Sequence, residues 1–136
     1  MGAWGTGVFE EDCACDFLCE IADSGASIKK VLKRVLKNGK RNHKKFMDSD
    51  LCSELLATTA LASGSLPDGQ EEPEEFRAAS ELVNAALKPK DLDSLRESVR
   101  AVIEGEKSEL RALWEESDDF SKWQADARQV LQSLSS

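Results

Sequence analysis

Apolar residues recur along this chain at spacings of three and four, the period of a helix with one face turned inward. Over 10–22 the pattern places Cys13, Ala14, Phe17, Leu18 and Ile21 on one face. Asp-Ser-Gly-Ala-Ser interrupts it, with Ser27 as an N-cap. Residues 28–37 resume it through Ile28, Val31, Leu32, Val35 and Leu36, with Gly39 just past the expected end. A polar, basic loop leads to Asp48 or Ser49 as the cap of a third helix. There Leu51, Cys52, Leu55, Leu56, Thr59 and Ala60 face inward until Gly64.

Residues 64–72 read as an exposed loop, because Gly, Pro and Asp cluster there. Pro73 suits the first turn of a fourth helix that carries Phe76, Ala79, Leu82, Val83, Ala86 and Leu87 and ends at Pro89. A fifth helix is expected from Asp91 to near Gly105, with Leu95, Val99, Val102 and Ile103 inward. Ser108 caps a short sixth segment, and the last helix starts near Asp119 with Phe120, Trp123, Ala127, Val130, Leu131 and Leu134 on one face. No stretch alternates with period two, and neither internal repeats nor heptads are visible. The pattern predicts an all-α protein, a bundle of six or seven short helices in a single domain over 1–136.

The lead MGAWGTGVF is too short to bury its own aromatics, so they must pack on something made later in the chain. Trp4 and Phe9 are therefore expected against Trp114, Phe120 or Trp123, with Gly2, Gly5 and Gly7 letting the backbone lie close. Were Trp4 exposed instead, it would be a candidate partner-binding anchor. The lead also fits an N-myristoylation pattern. Glu10, Glu11 and Asp12 follow it, and they would repel an anionic membrane.

MGAWGTGVF with an acidic helix behind it, SELLATTALASG in the centre and SELRALWEESDDFSKW near the end resemble a mostly bacterial family, domain of unknown function 4259. The resemblance covers the lead and first helices, the third helix and the last thirty residues, and it is weakest over 64–90. It implies a small helical protein with no assigned activity. It brings no catalytic residue with it.

Charge changes the picture most. The net charge is −8, yet 24–47 contains no acid and nine of the eighteen bases. Residues 10–23 hold six acids and no base, and 48–136 hold twenty acids against nine bases. Lys29, Lys33 and Lys37, with Lys30 and Arg34, form a basic face opposite the apolar one. The preferred reading is intramolecular, the basic second helix packing antiparallel on the acidic first through Phe17, Ile21, Val31, Leu32 and Val35. The next is an acidic protein partner. Nucleic acid is disfavoured, since no aromatic interleaves the bases and the net charge opposes a polyanion.

Candidate chemistry is sparse. Asp12, Asp16 and Glu20 recur every four residues and stack on one helix face, with Cys15 and Cys19 beside them. Together with Glu54, in the third helix, they are the candidate metal ligands of a hydrolase or ligand-binding protein. No CxxC, EF-hand or phosphate-loop spacing supports that, and His43 is the sole imidazole. Without an apolar run of membrane-spanning length or a leader pattern, the four cysteines point to a reducing compartment and reduced thiols. Cys13 and Cys52 are expected as apolar filler, Cys15 and Cys19 nearer solvent. The function expected is a cytoplasmic, non-catalytic protein-interaction module without a cofactor, using Trp4, Lys29, Lys33, Arg34 and Lys37. An immunity-type blocker is one variant of it, and the metal-dependent hydrolase is the competitor.

Overall fold

The computed structural model describes residues 5–67 and 69–135. Seven α-helices occur in this part of the chain: α1 (Asp12–Ser24), α2 (Ile28–Asn42), α3 (Ser49–Ser63), α4 (Phe76–Ala86), α5 (Pro89–Glu104), α6 (Glu109–Glu115) and α7 (Phe120–Ser135). A 3-10 turn, Gly25–Ser27, joins α1 to α2. An isolated parallel bridge pairs Met47 with Ser108. The protein is all-α, as its periodicity implies.

The organising element is α3. Every position from Leu51 to Leu61 except Glu54 is buried, so this helix faces protein on all sides rather than along one stripe. Each of the other six helices touches it. Its polar residues are neutralised locally: Thr58 and Thr59 donate their hydroxyls to the Glu54 and Leu55 carbonyls at 2.8 and 2.9 Å. Asp48 caps it, accepting from the Leu51 amide at 2.8 Å. Met47 exchanges backbone hydrogen bonds with Lys107 and Glu109 at 2.9 Å each, which ties the entry of α3 to that of α6.

Two helix limits differ from expectation. Gly39 does not stop α2 but lies inside it, because there the helix needs the room: a Cβ would lie 2.9 Å from Ser98 Oγ and 3.1 Å from Leu55 Cδ2. Pro89 begins α5 instead of merely ending α4, and Asp91 accepts from the Lys88 amide at 2.9 Å. In the 64–72 loop Ser65, Gly69, Glu71 and Glu72 are exposed, but Pro67 is buried and Leu66 packs on the core.

The lead lies on the C-terminal helices. Thr6 Oγ1 donates to Asp126 Oδ2 and accepts from Lys122 Nζ, both at 2.8 Å, and Val8 is buried in the core. Gly7 donates its amide to Glu10 Oε1 at 2.9 Å, folding the lead back over that carboxylate. Phe9 departs from expectation. Its ring meets Phe76 of α4 edge-on, centroids 5.9 Å apart, while Trp114, Trp123 and Phe120 stack among themselves at 6.2 and 6.1 Å. Trp4 lies outside the described residues, and so does the expectation that rests on it.

Candidate functional site

The α1–α2 hairpin separates two surfaces of opposite sign. On one lies an acidic cleft of about 390 Å³ lined by Cys13, Asp16, Phe17, Glu20, Asp50 and Glu54. Three of the four candidate metal ligands, Asp16, Glu20 and Glu54, share it, whereas Asp12 is exposed elsewhere on α1. A protein cation reaches two of those three. Arg34 forms a two-pronged pair with Glu20, both nitrogens at 3.1 Å, and its Nη2 also approaches Glu54 Oε2 at 3.4 Å. Burial pushes the Glu54 carboxyl above its ordinary range, and Arg34 opposes that shift. Among the described residues no group of three or more His, Cys, Asp or Glu side chains is arranged to hold a metal ion.

The cysteines add little nucleophilic capacity. All four are free, with Cys52 buried, Cys19 exposed, and Cys13 and Cys15 between them. Cys13 is therefore not core filler; it sits at the rim of the acidic cleft, where burial first and Asp50 second push its thiol up to about 12. Few thiolates form there at neutral pH. His43 is engaged at both ring nitrogens, Nδ1 at 2.9 Å from the Lys40 carbonyl and Nε2 at 3.1 Å from Glu97 Oε1. It finishes α2 and fastens it to α5.

The opposite side of α2 is different. A groove of about 660 Å³ runs between α2, the end of α4 and the start of α5. Lys29, Lys33, Lys37 and Lys40 line it from α2, and Lys88 and Lys90 from α5 and the residue before it. Its apolar lining consists of Leu32, Leu36, Ala86 and Leu87. All six lysines are exposed, and none has an ion pair among the described residues. Asp91 is the one acid in the lining, and it is spent on the Lys88 amide.

The structure thus divides the residues singled out from sequence. Lys29, Lys33 and Lys37 share the groove, while Arg34 turns away to pair with α1 and α3. Phe17, Ile21, Val31, Leu32 and Val35 all join one core, and α1 and α2 are in contact. The expected electrostatic pairing of the two helices nevertheless amounts to a single arginine. Lys88, Lys90 and the apolar lining from α4 were not visible as part of a site. Their only signal in the sequence is an ordinary Leu-Lys-Pro-Lys helix junction.

Comparison with curated proteins finds no match, and comparison with solved structures finds none either. The family model for domain of unknown function 4259 matches residues 2–126, from the glycine-rich lead into the last helix, and the chain belongs to that family.

Proposed function

We propose that this protein is a non-catalytic module that binds another protein through the outward face of α2. One observation carries the reading. Of the nine lysines and arginines between residues 24 and 47, only Arg34 has an ion pair among the described residues. A concentrated positive face on a chain of net charge −8 is unused inside the fold. Complementary charge of this kind steers association and suppresses wrong partners. Phe46 supports it, standing 60% exposed beside Lys44 and Lys45 at the end of the same basic segment. An isolated exposed aromatic preceded by two bases is a suitable anchor for a protein contact.

The experiment compares the immobilised wild type with a Lys29→Glu/Lys33→Glu/Lys37→Glu variant in extracts of the native cell. The captured partner is then purified and titrated calorimetrically. Binding should weaken with added salt and fall about tenfold or more in the variant, while far-UV circular dichroism stays unchanged. A purified partner that binds both forms equally overturns the reading. So does stoichiometric uptake of Mg²⁺ or Zn²⁺ that Glu54→Ala abolishes, since that result would favour the metal-dependent alternative.

A further inference from the structure

We infer that the α2–α4–α5 groove is the seat for an acidic amphipathic helix of the partner, an inference that rests on the protein-interaction reading above. The groove has the two features such a helix requires: an apolar lining and cations along both sides. Lys29, Lys33, Lys37 and Lys40 follow one another along one face of α2 at helical spacing. From the first to the last, that row extends about 16 Å at the α-helical rise. Three turns of a second helix span the same distance. Leu36 of α2, with Ala86 and Leu87 at the end of α4, supplies the half-buried apolar floor, and the buried Leu32 lies one turn before Leu36. A partner stripe of apolar residues at i, i+4 and i+7 would cover these side chains, and carboxylates on its two flanks would meet the lysines.

Charge and apolar exposure together select this occupant over the others. A nucleic acid would meet the lysines, but the groove lining offers no aromatic on which a base could stack, and its apolar lining would stay uncovered. A second copy of this chain would have to present an acidic helix with an exposed apolar stripe. The acidic helix it has, α1, turns Ala14, Phe17, Leu18 and Ile21 into its own core. Phe46 is the one large hydrophobic side chain exposed among the described residues, and Lys44 and Lys45 precede it. The complementary surface must come from a different chain.

The test uses the full chain and a labelled synthetic peptide of about 14 residues, with leucine at i, i+4, i+7 and i+11 and glutamate on both flanks. A scrambled peptide of the same composition serves as control. Fluorescence anisotropy should show saturable binding of the amphipathic peptide only, falling with salt. Lys33→Glu/Lys37→Glu should weaken it about tenfold or more, and Leu36→Ser should weaken it without changing the salt slope. The lysines are exposed, so the charge variant keeps the assay meaningful even if Leu36→Ser folds poorly. Absence of binding, equal binding of the scrambled peptide, or indifference to the lysine variant overturns the inference. It is overturned equally if light scattering shows a dimer that the lysine variant dissolves, or if short duplex DNA binds and the same variant releases it. Should the peptide fail while the captured natural partner still depends on Lys29, Lys33 and Lys37, only the acidic-helix occupant falls. Should the partner ignore those lysines, the interaction reading itself falls.

Discussion

Glu11, at the entry to α1, is a buried carboxylate whose Oε1 has no hydrogen-bond partner among the described residues. The same is true of Trp114 Nε1, and both residues line a cavity of about 10 Å³ between the lead, α3 and α6. Burial raises the Glu11 pKa, and the nearby Ser53 hydroxyl and Ala14 amide offset the shift only in part. Because the folded carboxyl holds its proton more tightly than the unfolded one, this site favours folding at acid pH. That contribution is lost as pH rises through the raised pKa. Glu11→Gln should therefore be more stable than wild type at about pH 7.5, by on the order of 1 kcal/mol, since it removes a buried charge lacking a full set of partners. The gap between their urea midpoints should close by about pH 4, where the wild-type carboxyl is protonated as well. A gap that widens on acidification would contradict the assignment.

At the scale of the helix, α2 and α3 show two ways in which one period serves different surroundings. Along α2 the apolar stripe is narrow, and Gly39 continues it by presenting bare backbone to Ser98 and Leu55. Replacing that glycine by alanine gains ~1 kcal/mol of helix propensity. The added Cβ, 2.9 Å from Ser98 Oγ and 3.1 Å from Leu55 Cδ2, requires those two buried side chains, or α2 itself, to shift. Overpacking of this kind costs ~1–3 kcal/mol, so Gly39→Ala should lower stability by about 1 kcal/mol in urea titration. A stabilised variant would show that the helices can separate without loss. Along α3, by contrast, alanine, threonine and serine cover what the leucines leave, so neighbouring helices approach from every direction.

Across the whole molecule, the lead adds to α3 a second connection between α4 and the C-terminal helices. Thr6 is bonded to Lys122 and Asp126 of α7, while three residues later Phe9 meets Phe76 of α4. Removing the Phe9 ring should cost ~3–5 kcal/mol, a large part of the ~5–15 kcal/mol available to a domain of this size. Phe9→Ala should also unfold in one step, with tryptophan fluorescence and far-UV circular dichroism falling together, since α3 touches all the other helices. Separate transitions at the two probes would instead show that α4 and the C-terminal helices form independent units. The same assembly sets the charge distribution: α2 directs Arg34 toward Glu20 and Glu54 and its lysine row toward α5.

Much of the helical layout was legible because periodicity is a local property. Phe17, Leu18 and Ile21, or Val99, Val102 and Ile103, mark an inward face by their own spacing, whatever they later meet. Asp48 and Ser108 announce helix starts for the same reason, their side chains accepting from amides three residues on. The lead and the Ser-Glu-Leu-Arg-Ala-Leu-Trp segment were enough to reveal the family. What lies opposite each face is not local. A lysine is soluble on any exposed surface, so nothing in the sequence places Lys88 and Lys90 across a groove from Lys33 and Lys37. Nor does it say that Gly39 is a contact and not a stop, that Phe9 goes to Phe76 and not to a tryptophan, or that α3 is enclosed on every side. Those outcomes depend on how seven helices rotate and pack against one another, and the tertiary structure alone decides them.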